Sequence, residues 1–119
     1  MGNNVIKMKG CHTTDIKQLA SILRREIKAD LISESCQETG GTTVILLCFE
    51  KYYFRIGGYA SLTIMLTEYE TEQTADIVGS GGGTGVYNFN YGANANFSNA
   101  ARKLLMEHGF QSNPPHYGA

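Results

Sequence analysis

The sequence predicts an α+β fold, in which a single curved antiparallel sheet of about five to six strands carries two helices. Three observations support this prediction. Apolar residues recur at helical spacing in two segments, one near each end of the chain, whereas they alternate with a period of two in between. Short turn signals separate the alternating segments, so successive strands are expected to pair as a meander. The predicted order is β-α-β-β-β-β-β-α.

The first strand is expected at Val5–Met8, and the first helix follows it. Thr13 or Thr14 can cap this helix, and Asp15 suits the positive end of the helix dipole. Its apolar stripe follows the i, i+3, i+4 pattern and consists of Ile16, Leu19, Ala20, Leu23 and Ile27. Three cations share the outward face, which is expected to be solvated: Lys17, Arg24 and Lys28.

The middle of the chain contains strand-like segments at 31–38, 42–49, 59–69 and 74–79. The second segment, "TTVILLCF", is apolar at successive positions, so we expect it in the sheet interior with both faces covered. The third segment alternates cleanly, with Leu62, Ile64 and Leu66 on one side. These patterns are typical of an antiparallel meander.

A glycine-rich loop follows, with five glycines within the seven positions 79–85. It matches neither GxGxxG nor a P-loop, which needs a lysine after its last glycine. The next segment alternates, with Tyr87, Phe89 and Tyr91 on one face, and predicts a strand over 86–91. A helix N-terminus would then be missing from the loop. Two interpretations stay open: backbone geometry such as a bulge or a close approach, or capture of an anion by backbone amides.

The closing helix is expected to begin after Asn94 or Asn96 and to end before Gly109, which suits the left-handed position after a helix. Its stripe consists of Phe97, Ala100, Ala101, Leu104, Leu105 and His108. We predict one domain over residues 1–110 and a flexible tail over 111–119. A sheet that wraps a long C-terminal helix resembles the helix-grip and TATA-binding-protein-like architectures, which say little about function.

Two stretches, residues 49–66 and 79–97, carry a resemblance to a known family: "FEKYYFRIGGYASLTIML" and "GSGGGTGVYNFNYGANANF". They resemble a family of small uncharacterised bacterial proteins that share an SGG turn, an aromatic strand ending in glycine and a closing helix. The resemblance covers roughly residues 5–108 and implies a bacterial, cytoplasmic protein. It supplies no activity, because the function of that family is unknown.

Charge and composition argue against several classes of partner. The net charge is −1, but residues 31–92 carry seven acidic and two basic groups, which would repel nucleic acid. The longest apolar run, Val44–Phe49, is far shorter than the roughly 18 residues of a membrane span. The N-terminus lacks the apolar region of a secretory signal. The three cysteines form no CxxC pair, so we expect reduced thiols in the cytoplasm, without nucleic-acid or membrane partners.

The sequence contains no set of residues that indicates a reaction, a metal or a cofactor. Cys11 and His12 are neighbours, but adjacent side chains in an extended segment do not converge as a catalytic pair must. Glu68, Glu70 and Glu72 surround a hairpin, where a solvated tip is typical. No HxxxH, HExxH or CxxC spacing is present. We therefore predict no catalytic and no metal-binding residues, and the balance favours a protein that is not an enzyme.

The aromatic residues suggest a binding function. Tyrosines on the inner face of a curved sheet can leave a pocket beneath the closing helix, where their hydroxyls orient a small apolar or aromatic ligand. The expected ligand-binding residues are Tyr53, Tyr59, Gly81, Gly82, Gly83, Tyr87, Phe89 and Tyr91. The alternative is a structural or interaction protein that forms a homodimer through exposed aromatics or a sheet edge.

Overall fold

The computed structural model describes residues 3–11, 14–54, 57–81 and 87–112, except the side chains of residues 3, 4 and 87–96. In chain order, the elements are β1 (Asn3–Gly10), α1 (Ile16–Glu26), β2 (Asp30–Thr39), β3 (Thr42–Tyr53), β4 (Gly58–Tyr69), β5 (Glu72–Gly81), α2 (Tyr87–Glu107) and β6 (Phe110–Ser112). The six strands form one sheet in the order β2-β3-β4-β5-β1-β6. The predicted class, with two helices on a single antiparallel sheet, is confirmed.

The meander predicted for the middle of the chain is present as β2 to β5. The β2–β3 hairpin turns at Gly40 and Gly41, which both have positive φ (54° and 83°), a conformation that glycine adopts without strain. The β4–β5 hairpin closes with Tyr69 opposite Glu72. β1 pairs antiparallel with the free side of β5, and β6 pairs with β1.

The sixth strand lies elsewhere than the sequence pattern indicates. The alternation of Tyr87, Phe89 and Tyr91 predicted a strand over 86–91, but residues 87–91 belong to α2, which begins at Tyr87. A further strand of the meander would need the free side of β5, and β1 fills that place along its whole length. The sixth strand is instead β6, after α2. Gln111 and Ser112, assigned to the tail from sequence, lie in β6, and residues 113–119 are outside the described part of the chain.

The ends of the helices are set by specific backbone bonds. Asp15 is the N-cap of α1, and its Oδ2 accepts hydrogen bonds from the backbone N–H groups of Lys17 (3.1 Å) and Gln18 (3.3 Å). The cap is therefore Asp15 and not a threonine, since Asp15 itself has the extended backbone that a cap requires. Ile27 is also extended and ends α1. Gly109 follows α2 with a φ of 90°, as predicted for a glycine after a helix.

Both helices pack on the same face of the sheet. α1 contacts β3 and β4, and α2 contacts β5, β1 and β4. Along β3, Ile45, Leu47 and Phe49 are buried beneath the helices, whereas Leu46 and Cys48 on the other side are only half-buried. The expectation that β3 is covered on both faces is wrong, because no described element lies over its second face. We call this second side the open face; it includes Val5, Leu46, Cys48, Tyr59, Met65 and Val78.

β2 is the outermost strand, and all ten of its residues are exposed. Hydrogen bonds to β3 and two ion pairs to α1 hold it in place. Arg24 Nη1 lies 2.6 Å from Glu34 Oε2, and Lys17 Nζ pairs with Glu38. Glu38 accepts a hydrogen bond from Lys17 and thereby raises the pKa of this lysine above its usual value. Two of the three cations predicted to face solvent therefore bridge α1 to β2.

A substitution at Gly10 tests how closely β1 and β6 pack where the two strands pair. A Cβ atom on Gly10 would lie 2.6 Å from Cζ of Phe110, its cross-strand partner, and the Phe110 ring is buried and cannot move aside freely. We expect Gly10→Ala to lower the free energy of unfolding by about 1–3 kcal/mol, the range for overpacking, in urea denaturation. The same substitution should cost less in a Phe110→Leu background. Equal costs in both backgrounds would contradict the steric explanation.

Candidate functional site

A groove with a volume of about 290 Å³ lies where the C-terminal end of α1, the end of β3 and the middle of α2 meet. This volume is close to the lower end of the range of about 300–1,000 Å³ typical of small-molecule sites. The residues that line the groove are Glu26, Ile27, Lys28, Lys51, Tyr53, Phe97, Ala100 and Leu104. The groove therefore occupies the space between the sheet and the closing helix.

The groove exists because α1 ends before β3 does. The helix-facing residues of β3 are buried as far as Phe49, but Lys51 and Tyr53, the next two on that side, are only partly covered or exposed. α1 has already ended at Glu26, and the extended Ile27 turns the chain toward β2. The last helix-facing stretch of β3 is thus only partly covered, with the ring of Phe97 on α2 against that of Tyr53.

An aromatic pair forms the floor of the groove. The rings of Tyr53 on β3 and Phe97 on α2 are inclined at 58°, with centroids 6.1 Å apart. Phe97 and Ile27 are buried, whereas Tyr53 and Leu104 keep part of their surface exposed. A bound molecule could cover this remaining apolar surface, which would favour binding by roughly 25 cal/mol per Å² removed from water.

The rim of the groove is charged and carries more positive than negative groups. Lys51 Nζ lies 5.4 Å from the centroid of the Tyr53 ring, within the distance of a cation–π contact. Lys28 follows α1 at the same side of the groove. Glu26 is the acidic group of the lining, and its Oε2 lies 3.2 Å from Arg25 Nε. Among the described residues, neither lysine forms an ion pair.

The structure separates Tyr53 and Tyr59, two of the four tyrosines that were predicted to bind ligand. Tyr53 lines the groove, as the sequence analysis expected of a pocket between sheet and helix. Tyr59 lies on the open face, where it is 52% exposed and contacts Tyr52 edge-on at a centroid distance of 5.2 Å. Side chains alternate along a strand, so Tyr59 cannot reach the groove from β4.

The other predicted binding residues lie at or beyond the end of β5. Gly81 is the last residue of β5 and pairs with Ala60. Gly82 and Gly83 lie outside the described residues. Tyr87, Phe89 and Tyr91 belong to the first turns of α2, but their side chains are not among those described. Their assignment to a binding site stays a prediction.

Sequence reasoning missed several groove residues. Lys28 was assigned to a solvated helix face, and Phe97 and Leu104 to the packed stripe of the closing helix. One signal was available for Lys51: a period of two places it on the same side of β3 as Phe49 and Tyr53, so a charged residue continues an apolar face. Such a break in an otherwise apolar series indicates where a strand leaves the core.

A second groove, with a volume of about 330 Å³, lies between α1 and β2. It is larger, but its walls are less suited to an apolar ligand, because Arg24 and Glu34 pair across it and Lys17 also lines it. The Cys36 thiol lies in the same groove. Within the described ranges, no group of three or more His, Cys, Asp or Glu side chains is arranged to hold a metal ion.

The chain matches a known protein family. A model of a family of unknown function, DUF6054, matches residues 3–109. The chain belongs to the DUF6054 family. The match confirms the resemblance to an uncharacterised family and includes every residue that lines the groove between α1, β3 and α2. No curated protein and no solved structure matches the chain. No helix in the described part of the chain is long and apolar enough to cross a membrane.

Proposed function

We propose that this DUF6054 protein binds a small, largely apolar or aromatic molecule in the groove between α1, β3 and α2. The observation that carries the proposal is the aromatic pair of Tyr53 and Phe97, which leaves part of its surface exposed at the junction of sheet and helices. A tyrosine at such a junction offers an apolar ring and a hydroxyl that can orient a ligand.

The proposed role is binding without catalysis. The described residues of the lining include no histidine, cysteine, serine or threonine, the usual nucleophiles and proton carriers. Its carboxylate, Glu26, is in contact with Arg25. The cytoplasm is the compartment that we propose, because Cys11, Cys36 and Cys48 are free thiols, as a reducing environment favours.

Self-association is the second candidate, and the open face favours it. Phe54 is 90% exposed and contacts Tyr52 edge-on at 5.4 Å, and Tyr52 also contacts Tyr59. These three rings form an exposed aromatic cluster on the side away from the groove. Such a patch is typical of a surface that associates with another protein, and a homodimer is the partner that we consider.

A groove-filling variant tests the binding proposal. Ala100 is an exposed residue of the groove wall, so Ala100→Trp should block the groove without disturbing the core; Met106→Trp, also on α2 and exposed, is the matched control. We expect a neutral aromatic probe, 2-naphthamide, to shift the amide NMR signals of Tyr53, Phe97 and Leu104. Ala100→Trp should abolish these shifts, and Met106→Trp should retain them.

Two outcomes would contradict the proposal: no shift of groove signals by 2-naphthamide or by its charged analogues at the highest soluble concentration, or unchanged binding to Ala100→Trp. Native mass spectrometry of the protein purified from its host provides an independent measurement, since it reports a retained small molecule and the oligomeric state together. A dimer without any bound molecule would favour self-association.

A further inference from the structure

The charged residues that line the groove indicate the chemical class of the ligand more specifically than the apolar floor of the groove does. Two lysines, Lys28 and Lys51, are among the described residues of the lining, against one carboxylate, that of Glu26. That carboxylate has a cation of its own in Arg25.

The position of Lys51 connects the charge to the aromatic floor. Its Nζ lies 5.4 Å from the centroid of the Tyr53 ring, so the ammonium is held beside the apolar surface rather than extended away from the protein. An ammonium carries three hydrogen-bond donors, and the ring engages the cation without accepting all of them. Lys51 can therefore donate to an anionic group while the body of the same molecule contacts Tyr53.

We infer that the ligand of this groove is a small amphipathic anion, with its carboxylate between Lys28 and Lys51 and its aromatic or aliphatic body against Tyr53 and Phe97. This inference rests on the proposed binding function. A neutral ligand of the same shape would partly desolvate two ammonium groups and offer them at most neutral hydrogen bonds, which is less favourable. A carboxylate supplies charge-assisted hydrogen bonds to both lysines.

Three probes with the same aromatic body but different charges distinguish the effect of ligand charge from that of ligand shape. They are 2-naphthoate, neutral 2-naphthamide and the cationic 2-naphthylmethylammonium. Titrations followed by NMR should give a Kd for 2-naphthoate about five- to tenfold lower than for 2-naphthamide. This difference is expected because the carboxylate forms charge-assisted hydrogen bonds with the lysines, whereas the amide forms weaker hydrogen bonds. The cation should bind most weakly. Raising the salt concentration should reduce the preference for the anion, because the lysines are partly in contact with solvent.

Lysine variants test whether Lys28 and Lys51 cause the preference for the anionic probe. Lys28→Met with Lys51→Met keeps the aliphatic stems, so the doubly substituted protein should lose its preference for 2-naphthoate over 2-naphthamide, chiefly through a higher Kd for the anion. Lys9→Met, on the open face of β1, is the matched control and should keep the preference. Denaturation of each variant checks that the fold is retained.

The outcomes distinguish the inference from the function on which it rests. If the parent protein binds 2-naphthoate and 2-naphthamide equally well in the groove, the anion inference is overturned and the binding function stands. If the lysine variants weaken both probes alike, the lysines only shape the groove, and the inference is again overturned. If none of the three probes shifts a groove signal, both proposals fall.

Discussion

Phe49→Ala is expected to lower the free energy of unfolding by about 3–5 kcal/mol, the range for removing a buried aromatic side chain. Phe49 is 0% exposed and lies on the helix-facing side of β3, inside the sheet. Its removal would leave a cavity among Leu23, Leu47 and Leu62, which belong to the same core cluster. Since domains are stable by about 5–15 kcal/mol, this single change could bring the protein close to unfolding.

Urea denaturation followed by circular dichroism would measure this loss. Tyr59→Ala is the matched control, because Tyr59 is an aromatic residue of the adjacent β4 but lies on the open face. The control should change stability by less than about 1 kcal/mol. Similar losses for both variants would mean that the two faces of the sheet are equally packed, in conflict with the one-sided core.

Leu105→Ala should cost about 2–5 kcal/mol, since Leu105 is 0% exposed where α2 packs on the sheet. Leu104→Ala should cost less, because Leu104 lines the groove and is only partly buried. This order revises the expectation from sequence alone, which treated both leucines as members of one buried stripe.

Met106→Ala is the control for Leu105→Ala, since Met106 is the next residue of α2 and is 51% exposed. It should change the melting temperature little. Chemical denaturation of the three α2 variants should show the largest loss of unfolding free energy for Leu105→Ala, a smaller loss for Leu104→Ala and the smallest for Met106→Ala. Small and equal effects at all three positions would show that α2 is peripheral, and the groove beneath it would then lose its structural basis.

The parts of the fold that follow from periodicity were predictable. The stripe of α1 from Ile16 to Ile27 is buried as expected, because a helix with a single apolar side packs that side against the core of the protein. Leu62, Ile64 and Leu66 of β4 are buried for the corresponding reason in a strand. Periodicity could not decide which face of β3 is covered, because Val44–Phe49 is apolar on both sides.

The candidate site was predictable only in outline. Its location under the closing helix and the participation of Tyr53 followed from the aromatic content and the element order. The convergence of Lys28 and Lys51 did not, because it depends on where α1 ends relative to β3. The segment 86–91 shows the same limit: its alternating pattern permits a strand, and the place taken by β1 beside β5 excludes one.

The exposed strand β2 also occupies an edge of β3 that would otherwise be open to pairing with another chain. It covers the edge of β3, whose run Val44–Phe49 combines β-branched, aliphatic and aromatic residues without charge, a composition prone to intermolecular sheet formation. β2 itself presents glutamates and serines to solvent, a poor template for a further strand. Its side chains add little burial, and its ion pairs to α1 weaken as salt rises. The strand that shields this apolar run is thus the most exposed strand of the meander.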